Sequence, residues 1–462
     1  MSGSSKSGSQ SKSSTSSSSS ARQIAFEALR AIDKKADKPA FADVVLDRKL
    51  NQSQLSTQDK GFATELVYGV VRRRRTLDAL ITQFGQREAA KQQADLLQIL
   101  RLGFYQLRYL THVPEHAIVD TSVQLAKSRR LGKLSGVVNG MLRAYIRQRV
   151  DSDPLKLPDN VSERLGVLHS YPNWIIEVWQ SMLPEPEVEA LCDYFNRPPK
   201  LDLRINLHQQ SVAEAAELFR ASGIDVEALP LVPSALRLKG HSGAVKKLPG
   251  YAEGWWAVQD SSAQLVGYLL DPQPGETVID ACAAPGGKSL HIAELMKDEG
   301  TVWSCDRTAA RTQKIQQNID RLGATIVRPL TCDSRNQQAF VGKADRVLLD
   351  VPCSGLGTLN RHADARWRQT PEAVVGLVTL QRELLSHSAS WVRPGGIMVY
   401  ATCTLHPDEN EEQVKWFLSE HKDWEISVPN DFALPPTEDG WIKVWPHHRN
   451  MDGFFMVKLV RK

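Results

Sequence analysis

TVIDACAAPGGKSLHIAELMKD, residues 277–298, decides how the carboxy-terminal half of this chain folds. The apolar run TVID reads as a strand that closes on Asp280, and SLHIAELMKD reads as a helix. The small residues between them let a ligand approach the backbone, and the helix beyond offers its positive end. A phosphate-binding loop would need glycine where Cys282 stands, and no G-x-G-x-x-G is present, so neither ATP nor NAD is favoured.

The same alternation continues outward. Strand-like TVWSCD, ATIVRPLTCD and ADRVLLDVPC follow, with helix-like ARTQKIQQNIDRLG between the first two. VVGLVTLQRELLSHSASWV then leads to IMVYATC, and strands around DWEISV and GFFMVKLVR end the chain. Alternating strands and helices predict an α/β fold with a doubly wound parallel sheet whose ligands lie at the strand carboxyl ends. Asp280, Asp306, Asp333 and Asp350 each close one of four successive strands. Such a rim of carboxylates, with no phosphate clamp, suits a nucleoside cofactor such as S-adenosylmethionine.

Two cysteines stand over this expected rim, in DRVLLDVPCSG (345–355) and GIMVYATCTL (396–405). Pro352 and Ser354-Gly355 should project Cys353, and Thr402-Cys403-Thr404 should do the same from the next strand but one. A thiolate adding to C6 of cytosine makes C5 nucleophilic enough to take a methyl group. A second thiol could assist as the C5 proton and the C6–S bond are lost. Asp350, three residues before Cys353, could share a proton near N3 of the base. Single cysteines such as Cys192 and Cys332 read as inert packing.

The amino-terminal half differs. Residues 1–20 form a Ser-rich tail that should be disordered. Residues 21–150 are helical throughout, as in ARQIAFEALRAID and ADLLQILRLGFYQLRYL, with breaks expected at Val113-Pro114 and at GKLSG (132–136). They carry 23 Lys and Arg against 12 Asp and Glu, whereas residues 151–462 carry 32 against 41. A basic module on an acidic remainder suggests a polyanion-gripping domain. Arg72, Arg73, Arg74 and Arg75 are candidate phosphate contacts, although four consecutive arginines on one helix would surround it. Residues 151–240 read as a Pro/Asp linker and a small α+β module, with a short helix opened by Pro172 and Asn173. In LDLRINL, Arg204 and Asn206 would share one sheet face as further RNA contacts, and Arg361 and Arg366 could hold the backbone flanking the target base.

DACAAPGGK, DVPCSG and ATCTLHPDENE, in this order, resemble the RNA cytosine-C5 methyltransferase family that includes the NOL1/NOP2/Sun proteins. That resemblance implies a Rossmann-like methyltransferase domain over 241–462. It makes Cys403 the nucleophile, Cys353 the aid to product release and Asp350 the contact to the base. It also has Cys282, Ala283, Ala284, Pro285, Gly286, Gly287, Lys288, Asp306, Asp333 and Asp350 hold S-adenosylmethionine. The family commonly shows TCS where this chain has TCT at 402–404.

The segments ARQIAFEALRAID, DKGFATELVYGVVRRRRTLDALI and HAIVDTSVQLAKSRRLGKLSGVVNGMLRAYI look like a NusB-type RNA-binding domain over 21–150. That combination is similar to the bacterial small-subunit (16S) rRNA methyltransferases within the family. It implies small-subunit rRNA as partner. The cysteine spacing predicts no metal site, the lack of an eighteen-residue apolar run predicts no membrane span, and a monomer is expected. Open alternatives are the same chemistry on tRNA or another RNA, and a non-catalytic RNA-binding assembly factor. DNA methylation is a weaker one. The absence of C-x-x-C spacing and of a secretory signal suits a reducing cytoplasm.

Overall fold

The computed structural model describes residues 20–33, 41–240, 243–429 and 431–462. The expectation of disorder for the tail therefore falls almost wholly outside the described residues. The chain separates into two compact units, up to Pro158 and from Asp159 onward.

Seven α-helices are described in the first unit: Ala21–Ile32, Ala42–Asn51, Thr57–Arg72, Arg74–Phe84, Ala94–Tyr109, Glu115–Ser128 and Ser135–Gln148. Ala94–Tyr109 is buried on all sides, including Leu96, Leu100, Phe104 and Leu107, and most of the others pack round it. Thr57–Arg72 comes close to it at Gly69, where a Cβ would meet the Tyr105 ring at 1.9 Å. The buried Arg101 takes both oxygens of Asp78, at 2.7 and 2.8 Å, and also binds Asp33.

The four arginines do not share one helix. The backbone breaks at Arg73 (φ −104°, ψ 16°) between Thr57–Arg72 and Arg74–Phe84. Arg72 points inward and is buried, which removes it from the phosphate contacts expected of it. Arg73 lies 4.8 Å over the Tyr109 ring, and Arg74 stands 3.6 Å from Asp33. Arg73, Arg74 and Arg75 all keep part of their surface accessible.

The second unit opens with helices Val161–His169, Asn173–Gln180 and Glu185–Phe195, of which only the middle one was expected. An antiparallel sheet follows, built from β1 (Leu201–Ile205), β2 (Val226–Ala228), β3 (Ala235–Leu238) and β4 (Trp256–Val258) in the order β2-β3-β1-β4. Its helix Val212–Ala221 starts in a capping box of Ser211 and Glu214.

The large sheet contains β5 (Thr277–Asp280), β6 (Thr301–Asp306), β7 (Val327–Thr331), β8 (Ala344–Asp350), β9 (Val392–Thr402), β10 (Trp424–Ile426), β11 (Ile442–Val444) and β12 (Phe454–Arg461). Its order is β10-β12-β9-β8-β5-β6-β7, with β11 also on β12. The strands from β5 to β9 are parallel as predicted. The last three are not: β12 runs antiparallel to β9, so the sheet is mixed. Alternate side chains of β8 enter the two cores, Leu348 on one face and Val347 and Leu349 on the other. The strand order reverses at β5, between β6 and β8, where a doubly wound sheet opens a crevice.

Candidate active site

The turn after β5 lies at that crevice. Gly286 takes φ +98°, a left-handed conformation that favours glycine, and a Cβ there would press on Ile315 at 3.1 Å. Helix Gly287–Leu295 then begins with its amide groups turned toward the strand ends. A pocket of about 180 Å³ opens here, lined by Asp280, Cys282, Lys288 and Asp350, by Ala283 to Pro285 and Gly287, and by Val258 and Gln259 from the end of β4. The turn and Asp350, singled out in the sequence, are thus brought together. Asp306 and Asp333 stand at or just beyond the ends of the next two strands, outside this lining. Asp306 accepts from the Thr308 amide at 3.3 Å and faces Arg311. Asp333 is gripped by Arg335, which holds its carboxyl down to about 2.

Lys288 Nζ donates to Asp350 Oδ2 at 2.6 Å and lies 5.4 Å from the Phe454 ring centroid. Burial opposes its charge, but the Asp350 carboxylate outweighs that and raises the ammonium above its ordinary range. Asp280, fully buried beside it, accepts from Ser289 Oγ at 2.6 Å, and burial pushes it up to about 7. Burial likewise pushes the Cys282 thiol far up, which weakens this rim cysteine as a nucleophile.

β8 and β9 are immediate neighbours rather than separated by a strand, with Asp350 opposite Ala401. Cys353 lies three residues beyond Asp350 and Cys403 two beyond Ala401, so the turns bring the two thiols face to face. Their Sγ atoms are 3.4 Å apart, a contact and not a disulfide, and both are half-buried. The contact with Cys403 and burial hold the Cys353 thiol well above the usual thiol range. A backbone crossing closes the site from behind. Gly357 N donates to Cys403 O at 3.0 Å, and Gly453 N donates to Gly357 O at 2.7 Å.

The sequence reading missed the residues that fasten these turns. Ser354 N donates to Glu409 Oε1 at 2.8 Å, and Asn410 joins Thr402 to the Thr404 carbonyl. Both stand in the DEN run at 408–410, which precedes an amphipathic helix and so looks like an ordinary acidic start. Gln259 carried no signal, because only the packing of the small sheet brings it to the pocket.

Four expected RNA contacts are corrected. Arg204 is wholly buried, where it takes both oxygens of Glu294 at 2.8 and 2.9 Å and reaches the Gly287 carbonyl at 2.5 Å. It braces the glycine turn instead of meeting solvent. Asn206 is buried and donates to Leu322 O at 3.2 Å. Arg366 is buried over the Tyr171 ring at 4.1 Å and donates to Asn196 at 3.0 Å. Arg361 spans Asp452 (2.6 Å) and Asp260 (2.7 Å), so its charge is already matched.

Among the described residues no helix is long and apolar enough to cross a membrane. One group with metal-binding spacing is found there, Glu187, His447 and His448, remote in sequence from both thiols.

Comparisons with known proteins agree with this arrangement. The model of the family described as 16S rRNA methyltransferase RsmB/F matches residues 267–460. The NusB family matches residues 19–147, and a Methyltr_RsmF/B-like, ferredoxin-like domain matches 171–245. A Synechocystis protein named "Probable ribosomal RNA small subunit methyltransferase B" is 47% identical over 95% of this chain and 99% of its own. The "Ribosomal RNA small subunit methyltransferase B" of Cronobacter sakazakii is 34% identical over 94% of this chain and 98% of its own. The crystal structure of PH0851 superposes with a TM-score of 0.79 at 27% identity, covering 95% of this chain and 98% of that one. The fold is shared with NSun6 from Pyrococcus horikoshii, solved with SFG, at 22% identity and a TM-score of 0.58 over 64% of this chain and 99% of that one. With near-complete coverage by relatives of one kind and three domain matches in the expected order, this chain belongs to the 16S rRNA methyltransferase RsmB/F family.

Proposed function

We propose that this protein methylates C5 of a cytosine in small-subunit (16S) rRNA, with Cys403 forming a transient bond to C6 of the base. The contact of the two thiols beside the Lys288–Asp350 pair carries this reading. The resemblance of the TCT segment at 402–404 to the family's motif favours attack by Cys403 and leaves Cys353 as its partner. S-adenosylmethionine, when bound, supplies the methyl group on a sulfonium. The small pocket, its glycine turn and its carboxylates suit that nucleoside, with residues 282–288 and Asp350 holding it and Asp306 and Asp333 at the adjoining strand ends.

Asp350 and Lys288 meet the polar edge of the flipped base and stabilise the charge that develops at N3 as Cys403 adds. C5, made electron-rich by that addition, accepts the methyl group. Loss of the C5 proton to a solvent water then restores the C5–C6 double bond and expels the Cys403 sulfur as a thiolate. Cys353, 3.4 Å away, donates its S–H toward that departing thiolate. In the first unit Arg73, Arg74 and Arg75 supply phosphate contacts, within a region whose 23 basic residues outnumber its 12 acidic ones. The lack of disulfide spacing fits work in the cytoplasm.

The test is a covalent trap. With 16S rRNA carrying 5-fluorocytosine, which cannot lose its C5 substituent as a proton, the adduct should map to the Cys403 peptide and vanish in Cys403→Ala. An adduct on Cys353, or none, would overturn the assignment.

A further inference from the structure

Resting on this two-thiol reading, we infer that Glu409 is a positioning residue for the reaction: its buried carboxylate fixes the Cys353 turn against the Cys403 turn and keeps the sulfurs in register.

Glu409 is entirely buried, at 0% exposure. Its carboxylate accepts from Ser354 N (2.8 Å), from Ser354 Oγ and from Gln381 Nε2 (3.0 Å), all neutral donors. Gln381 also donates to Pro352 O at 3.0 Å, so the residues on both sides of Cys353 are tied to one carboxylate. Ser354 Oγ is 2.7 Å from Thr404 Oγ1. These hydroxyls belong to the residues that directly follow Cys353 and Cys403, and their bridge joins the two turns. Tyr400, on β9 itself, holds the Glu409 carbonyl through its hydroxyl at 2.6 Å.

A carboxylate with only neutral donors is an expensive way to fasten a loop, because burying a charge costs several kcal/mol that hydrogen bonds only partly offset. A neutral side chain could bridge the same atoms at lower cost. The contact with Cys403 and burial do most to keep the Cys353 thiol protonated, and the nearby Glu409 charge adds to them by opposing a second negative charge. Glu409 thereby fixes the geometry of the pair and supports Cys353 as its hydrogen-bond donor. Replacing the carboxylate by an amide retains the shape and removes the charge, which separates the two contributions.

The experiment compares wild type, Glu409→Gln and Ser354→Ala for melting temperature, turnover against pH, and accumulation of the protein–rRNA adduct on ordinary, unfluorinated rRNA. For E409Q we expect a folded protein whose turnover falls tenfold or more. Its alkaline limb should move to lower pH, and its Cys403 adduct should form but persist. Ser354→Ala, which retains the backbone contact, should show the same changes to a smaller degree. Wild-type turnover with an unshifted pH profile in E409Q would overturn the inference, and so would those results in S354A should E409Q fail to fold. If wild type itself gives no Cys403 adduct with fluorinated RNA, the two-thiol reading fails and this inference with it. A wild-type adduct beside an E409Q protein of normal behaviour sinks the Glu409 role alone.

Discussion

Asp280 ends β5 under the glycine turn, buried and hydrogen-bonded to Ser289. Burial, reinforced by the charge on Asp350, raises its carboxyl from 3.8 to about 7. The folded protein therefore keeps this proton where the unfolded chain has already lost it. Stability from that retained proton is complete in acid and is lost as pH rises toward about 7. Asp280→Asn, which cannot ionise, should escape the loss. Its melting temperature relative to wild type is expected to climb between pH 5 and pH 8, and a difference that stays flat or falls would contradict the placement. At this scale the sequence marked the residue types gathered at the candidate site but could not separate exposed from buried charge. Arg204 and Asn206 alternate with apolar residues, and either face of a strand would satisfy that pattern. Their partners Glu294 and Leu322 lie 90 and 116 residues away and are set only by packing.

Elements explain why two thiols so distant in sequence meet. β8 and β9 are joined through the long helix Pro371–Ala389 and yet pair side by side, so their carboxyl ends deliver Cys353 and Cys403 together. Strand ends and the glycine turn were legible because period-two apolar runs and small residues have local causes. The arginine run at 72–75 was misread because a helix break at Arg73 has no Gly or Pro to announce it. The antiparallel β12 was equally hidden, since an apolar strand carries no mark of its direction. At the Gly357–Gly453 crossing, a Cβ on residue 357 would stand 2.1 Å from the Gly453 carbonyl oxygen and 2.8 Å from that of Cys403. Gly357→Ala must therefore displace backbone. We expect it to cost at least about 2 kcal/mol in denaturant unfolding and to lower turnover more than adjacent surface changes do. Unchanged stability would mean that the two loops do not touch in solution.

For the whole molecule, charge and chemistry occupy different units. The thiols, the glycine turn and their supports all lie beyond Asp159, while the basic excess lies before Pro158. A protein comprising residues 159–462 is expected to retain the Cys403 adduct on a short fluorinated RNA. It should bind long rRNA more weakly and with a shallower dependence on salt, because fewer counterions are released. Equal salt slopes for the fragment and the full chain would remove the first unit from phosphate binding.

One short segment supplies both β12, between β9 and β10, and the peptide that meets Gly357 behind Cys403. Fraying of that single strand would reach the Cys403 turn directly, through two backbone hydrogen bonds.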